Sequence, residues 1–504
     1  MYDYRLHDSF CEISLIYENP HVLQMVAVPL NMGRRCKEFV AVCILQAKDN
    51  RTLLLASSAS FNNMASQSII PIPADSPFSL ANIPFGIFST QSQPHPRLGV
   101  AIGEQILDLK VLALEGIFMD CEVTFPSDVL MHTTLNAFAA LGRPITSGVR
   151  AYIQSLLSQS SSPLHSSPSL LERCTVKQIE AVMHLPFDIG DFTDFTSSKT
   201  HAKNTHSGHG HEGVDADMFN PPRAASGRVS TILPSGIPIV RPVGHLPTSA
   251  SPERSYSGPL EDRALDDLSS DTPVESRTLA RTTGFSLAPT NELDFELELA
   301  FFISVPTKHF ERVPVEKTEK HIFGVVLLND WSARDIQIPE TLPFGAFNAK
   351  NFASTISPWV VTLDALEPFK IAHDIRRVPS YLVDKGDATY DISVSTRVIP
   401  GGSVEREMGV ARSCLRNSYW TFRQMLAFHT LSGCRMRTGD LIGTGTLSGE
   451  DTTSLCSLVE QRKHFPNRMF LQDRDEVVFT AWCGSPKGGV GFGECRGVVL
   501  PAGL

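Results

Sequence analysis

"NELDFELELAFF" (Asn291–Phe302) decides how the second half of the chain is read. Side chains on a strand alternate between faces, so Asp294, Glu296 and Glu298 share one face and Phe295, Leu297 and Leu299 the other. The alternation predicts a strand with one apolar, core-facing side. Three neighbouring carboxylates repel one another unless water or a cation faces them. Two readings are therefore open: a solvated strand face, or an oxygen-rich site for a hard cation such as Mg²⁺ or Ca²⁺.

Downstream, "VLLNDWSARDIQ" (Val326–Gln337) places Asp330, Trp331, Arg334, Asp335 and Gln337 just after an apolar strand. A polar cluster at a strand end is a place where ligands are met. It also reads as a helix start, with Asn329 or Asp330 as N-cap and Arg334 and Asp335 facing water. Lys350 and Ser354 follow in "FNAKNFASTISPW", ahead of a further strand. "HIFGVVLLNDW", "TISPWVVTLDAL", "TYDISVSTRVI", "DLIGTGTLSG" and "DEVVFTAWC" all read as strands, so residues 285–504 form a β-rich domain.

Upstream, "RLGVAIGEQILDL" (Arg97–Leu109) alternates about a Gly-Glu turn, as a hairpin does. Residues 134–157 carry apolar residues at helical spacing on either side of a Gly-Arg-Pro break. "SQSSSPLHSSPS" (Ser158–Ser169) reads as a loop. The class predicted is mainly β, of the α+β kind.

Composition narrows the function. The chain has 504 residues, 42% hydrophobic and 19% charged, which is ordinary for a folded soluble protein with several domains. A net charge of −10 argues against nucleic acid as a partner. The apolar run Phe39–Leu45 is far short of the roughly 20 residues that span a bilayer, so no membrane partner is expected. The ten cysteines form no CxxC pair, which disfavours a zinc ribbon and fits a reducing compartment.

Residues 1–63 show no sustained helical or strand period. They read as an extension of doubtful status, or as translation of an upstream frame, with Met64 a plausible natural start. A Ser-, Pro- and acid-rich tract near 248–283 has too few bulky apolar residues to offset its ordering entropy and reads as a disordered insertion. "TDFTSSKTHAKNTHSGHGHEG" (Thr193–Gly213) holds His201, His206, His209 and His211. "GGVGFGE" (Gly488–Glu494) lies too near the chain end to open a dinucleotide fold. "GTGTLSG" (Gly443–Gly449) lacks the Gly-Lys-Ser/Thr end of a Walker motif.

Taken in order, "NIPFGIFSTQSQPHPRLGVAIGEQILDL", "MHLPFDIGDFTDFTSSKTHA", "LDFELELAFF", "HIFGVVLLNDWSARDIQ", "STISPWVV", "GDLIGTGTLSG" and "GVGFGECRGVVLPA" make the chain resemble the fumarylacetoacetate hydrolase family over about residues 64–503. The resemblance implies an SH3-like N-terminal β domain (64–186) and a C-terminal catalytic β-roll, or mixed β-sandwich, domain (187–504). It implies a cytoplasmic homodimer acting in tyrosine and phenylalanine catabolism. The implied reaction is hydrolysis of a carbon–carbon bond in a 1,3-diketo acid, fumarylacetoacetate to fumarate and acetoacetate or a related diketone.

The implied metal set is Asp194, Glu296, Glu298 and Asp330, with Lys350 and Ser354 beside it, holding Mg²⁺ and/or Ca²⁺. His201 matches the water-activating histidine and Glu460 the glutamate that orients it. Arg334, Gln337 and Lys350 match the groups that polarise the attacked carbonyl, and Thr446 a substrate contact. His206, His209 and His211 are then a polar loop rather than ligands.

The chain departs from the family where substrate is held. Thr196, Ala225 and Thr341 stand where the family has tyrosines, and Gly210 where it has an arginine. Three readings remain: a hydrolase with altered specificity, a metal-dependent decarboxylase or tautomerase of oxo acids, and a non-catalytic member that keeps the fold.

Overall fold

The computed structural model describes residues 68–207, 219–247, 285–341, 345–373, 378–386, 389–465, 467 and 469–503, and the backbone of two strands at 42–46 and 52–56. The insertion read at 248–283 lies outside these residues, as do His209, His211 and the side chain of His206. No helix among the described residues is long and apolar enough to cross a membrane.

Two units divide the chain, Met1–Asn62 and Asn63–Leu504. In the first, Val42–Gln46 pairs antiparallel with Thr52–Ala56. The reading of no sustained period there stands beside this pairing. "VCILQ" and "TLLLA" are nearly continuous apolar runs, and such runs carry no period of two.

The larger unit is a mixed α/β structure. It begins with a five-stranded antiparallel sheet in the order Thr175–Lys177, Gln105–Asp108, Arg97–Ile102, Phe85–Thr90, Ala181–His184. The predicted hairpin turns at Gly103, whose φ of 57° suits a residue without Cβ. Helices Asn136–Ala139 and Arg143–Ser158 flank the predicted break. The Ser/Pro segment is not a plain loop: Ser162 and Ser167 cap two short helices, Pro163–Ser166 and Pro168–Cys174, each with proline in the first turn.

An eight-stranded sheet forms the middle layer. Its path runs Ile232–Pro234, Ser354–Ile356, Ile322–Asp330, Leu297–Ile303, Leu441–Gly443, Phe192–Phe195, Ala224–Ser226, with Val361–Thr362 also on Ile322–Asp330. Phe302, Val326 and Leu328 pack with Phe85, Leu98 and Phe138 of the N-terminal layer. Leu299, Phe301 and Val325 point the other way, into a core shared with Ile392, Val394 and Phe479. Those three belong to a second five-stranded sheet, ordered Ile239–Val240, Val490–Leu500, Glu476–Cys483, Ile392–Ile399, Met408–Cys414. "GGVGFGE" thus enters a strand. "TISPWVVTLDAL" makes two short strands and a helical turn, Leu363–Leu366, rather than one strand.

Register gathers the acidic residues at one end of the middle sheet. Asp194 pairs with Gly443, and Gly443 with Ala300. Glu298 pairs with Leu328, and Asp330 with Ser354. Paired residues share a face, as do residues two apart. Asp194, Glu298, Asp330 and Ser354 therefore project from one face at one end.

Candidate active site

Asp294, Glu296 and Glu298 are all buried, so the solvated-face reading is wrong. Phe295, Leu297 and Leu299 lie together in one core, as alternation predicts, and Arg334 pairs with both Asp294 and Glu296. The strand breaks at Phe295–Glu296, between Leu293–Asp294 and Leu297–Ile303. There the Asn329 side chain accepts from the Glu296 N–H at 3.2 Å, in place of a neighbouring strand's carbonyl. The helix-start reading is corrected too. The strand runs through Asp330, and helix Arg334–Glu340 follows Ala333 with no side-chain cap. Asn329 and Asp330 are used elsewhere, and Arg334 is buried.

One ligand atom each of Asp194, Glu298 and Asp330 lie within 4.8 Å of one another. Glu296 meets cations instead: Lys350 Nζ donates to its Oε2 at 2.6 Å, and Arg334 Nη1 pairs with its Oε1 at 2.8 Å. Lys350 also donates to Asp330 Oδ2 at 2.6 Å, and the Ser354 hydroxyl to Asp330 Oδ1 at 3.1 Å. Among the described residues, Asp194 and Glu298 have no cationic partner. The Gly445 N–H donates to both at 3.1 Å, and Glu298 Oε1 is buried without a partner.

This imbalance shows in their protonation. Burial, then Asp330, pushes Asp194 up to about 7. Burial and the adjacent Asp194 hold Glu298 well above the carboxylate range. Asp330 is raised by burial despite Lys350. Burial acts to raise Glu296 as well, but Lys350, Arg334 and His201 together hold it low. A buried, oxygen-only group with an unpaired carboxylate oxygen fits a hard divalent cation.

Beside this layer stands His201 on helix Lys199–Ser207, whose first turn is tied by the Ser198 hydroxyl accepting the His201 N–H at 3.1 Å. His201 Nδ1 lies 2.8 Å from Glu460 Oε2, on helix Leu458–His464. A carboxylate cannot donate, so Nδ1 carries a proton, and in the neutral ring Nε2 is the basic nitrogen. Nε2 is 3.4 Å from Thr446 Oγ1 and 3.6 Å from Glu296 Oε1. Glu460 is fully buried and also accepts from Ser448 and Ser457 at 2.7 Å and from Asn204 at 3.3 Å. Burial pulls the His201 imidazolium down, yet Glu460 and then Glu296 hold it above the ordinary histidine value. Burial works to raise Glu460, but His201 and the two serines keep it low.

Arg334 Nη1 also donates to Gln337 Oε1 at 3.1 Å, which leaves the Gln337 amide nitrogen for a ligand. Arg334 Nη2 is buried with no partner. Thr196 follows the Asp194 strand, and Ala225 pairs with Asp194 across it. Thr341 is exposed, and its hydroxyl returns to the Gln337 carbonyl at 2.8 Å.

Sequence reading missed Ser448, Ser457 and Asn204, which hold Glu460. It also missed what "GTGTLSG" does: a Cβ on Gly443 would lie 2.7 Å from Asp194 Oδ1, so this backbone approaches carboxylates directly. The glycines were the only signal.

The fumarylacetoacetase N-terminal profile matches residues 81–186, and the fumarylacetoacetate (FAA) hydrolase C-terminal profile matches 192–500. A fumarylacetoacetase of Rattus norvegicus is 39% identical over 452 residues, covering 86% of this chain and 99% of the relative. That of Homo sapiens is 36% identical over 449 residues, with the same coverage. A fumarylacetoacetate hydrolase structure from psychrophilic Exiguobacterium antarcticum, 16% identical, covers 83% of this chain and 99% of its own with a TM-score of 0.45. With both profiles matched in order and curated relatives aligned over nearly their whole length, the chain belongs to the fumarylacetoacetate hydrolase family.

Proposed function

We propose that this chain is a metal-dependent hydrolase that cleaves a carbon–carbon bond in fumarylacetoacetate or a related 1,3-diketo acid, a step of tyrosine and phenylalanine degradation. One observation carries the reading. A histidine whose Nδ1 is tied to buried Glu460 presents its Nε2 beside a carboxylate layer.

In this reading His201 Nε2 takes a proton from water, and Glu460 stabilises the imidazolium that results. The hydroxide adds to one carbonyl carbon. Arg334 Nη2, the Gln337 amide nitrogen and the remaining Lys350 proton donate to the oxygen that becomes negative. The carbon–carbon bond then breaks, its electron pair leaving as an enolate, and His201 returns a proton to it. A divalent cation, Mg²⁺ or Ca²⁺, held by Asp194, Glu298 and Asp330, and by Glu296 where Lys350 gives up its oxygen, would supply Lewis-acid stabilisation of that enolate. Lys350 and Ser354 fix Asp330 for that task. Thr446, Thr196, Ala225 and Thr341 border the substrate.

The profile boundary supports dividing an N-terminal domain over 64–186 from a catalytic domain over 187–504; residues 1–63 stay an extension of doubtful status. The five-stranded antiparallel sheet fits an SH3-like domain, and the two layered sheets fit a β-roll. We propose a homodimer. The seven described cysteines are free, as a cytoplasmic protein's would be.

The test is turnover of fumarylacetoacetate, and of a panel of acylpyruvates and other diketones, with Mg²⁺ or Ca²⁺ and after chelation. Cation-dependent cleavage into two acids is expected. A bound cation with only decarboxylation or tautomerisation overturns the hydrolytic reading, and no cation binding favours a non-catalytic protein.

A further inference from the structure

Ser457 stands at the N-cap of helix Leu458–His464, yet its hydroxyl does not cap the helix. It donates to Glu460 Oε2 instead, at 2.7 Å. A helix whose cap is diverted leaves its first N–H groups in need of acceptors. Those of Leu458 and Val459 are met by Asp294, at 2.7 Å to Oδ1 and 3.0 Å to Oδ2.

The same carboxylate holds the other side of the site. Arg334 Nε donates to Asp294 Oδ2 at 2.9 Å, and the Phe295 N–H to Oδ1 at 2.8 Å. Asp294 is fully buried and each of its oxygens accepts two bonds. It therefore has no position left for a cation, water or substrate. Beyond it, Arg334 reaches Glu296 and Gln337, while the helix it caps carries Glu460 to His201.

We propose that Asp294 is a positioning residue: it locks the helix of Glu460 and the guanidinium of Arg334 into one register, so that the His201–Glu460 pair and the carbonyl-polarising donors are aligned as a unit. The inference rests on the hydrolytic reading of those groups. Only an ionised carboxylate offers acceptors to all four donors at once. Asn has one acceptor oxygen, and its amide would turn a donor toward Arg334 or the helix N–H groups. Asp294→Asn thus keeps the volume and breaks the bridge.

In the full chain, Asp294→Asn is expected to lower kcat about 10- to 100-fold while KM stays within about threefold. In a Glu460→Gln background the same substitution costs less than about threefold, because the aligned pair is already lost. A second readout needs no turnover. The His201 Nδ1 proton, hydrogen-bonded to Glu460, gives a low-field NMR signal, assigned by its loss in His201→Ala; Asp294→Asn shifts or broadens it. Wild-type-like kcat in a folded Asp294→Asn protein, or multiplicative losses with an unmoved signal, overturns the proposal. If Asp294→Asn does not fold, Asp294→Glu keeps the charge but displaces it by one methylene; undiminished kcat there overturns the proposal equally. If the wild-type protein turns over no diketone, the functional reading has failed and the NMR signal alone judges the bridge.

Discussion

At the floor of the site, Glu460 is fully buried and accepts from His201, Asn204, Ser448 and Ser457, on elements far apart in the chain. At the rim, Ala225 and Thr341 are exposed, and the Thr341 hydroxyl is spent on its own helix. The floor is over-determined: each side chain is fixed by several others, so one change disturbs many contacts. The rim is held by few, and its side chains are small. The contrast separates two properties. In the proposed function, chemistry resides in the floor and substrate choice in the rim.

The comparison is broken most readily at the floor. His201→Ala should lower kcat by about 10³-fold, the middle of the range for losing a positioned general base; steady-state kinetics reads it, and a loss below tenfold would remove His201 from the reaction. Gly443→Ala comes next. Its methyl would press on Asp194 Oδ1 from 2.7 Å, so cation affinity measured calorimetrically should fall about 10- to 100-fold.

Protonation sharpens the same contrast. Asp194 binds its proton more tightly when folded, at about 7, than an ordinary aspartate at 3.8. The cation-free protein should therefore lose stability as pH rises between those values. Added Mg²⁺ or Ca²⁺ should raise Tm more above pH 7 than below it, which thermal melts in a pH series check. For His201 the base form is the deprotonated one, so kcat/KM rises with pH through a midpoint above the usual histidine value. Glu460→Gln removes the main group raising it, and should move that limb to lower pH.

At the rim the expected effects are smallest. Ala225→Tyr and Thr341→Tyr should each lower KM for fumarylacetoacetate about fivefold if the native substrate is smaller or differently charged, a hydrogen bond's worth of about 1 kcal/mol. They should leave kcat and cation affinity nearly unchanged. A large kcat change would show that floor and rim are not separable.

Much of the floor was legible before the structure, though by two routes. Alternation in "NELDFELELAFF" and the apolar run before Asp330 marked strands and an acidic cluster, because a period of two is written in local sequence. The partnership of His201 with Glu460, 259 residues apart, has no local signal and came only from family resemblance. Alternation did not show the break at Phe295–Glu296, where the Asn329 side chain accepts the Glu296 N–H, a contact that pattern cannot foresee. The N-cap reading failed for the same reason: Asp330 looks like a cap until Lys350 and Ser354 are seen to claim it.

The central claim, that water attacked by way of His201 divides a diketo acid, is tested most directly by turnover in ¹⁸O-water with mass spectrometry of the products. The account predicts two acids that together equal substrate plus one water, with a single ¹⁸O in a carboxylate of one of them. An isomer of unchanged mass, or a product lighter by carbon dioxide, would contradict it.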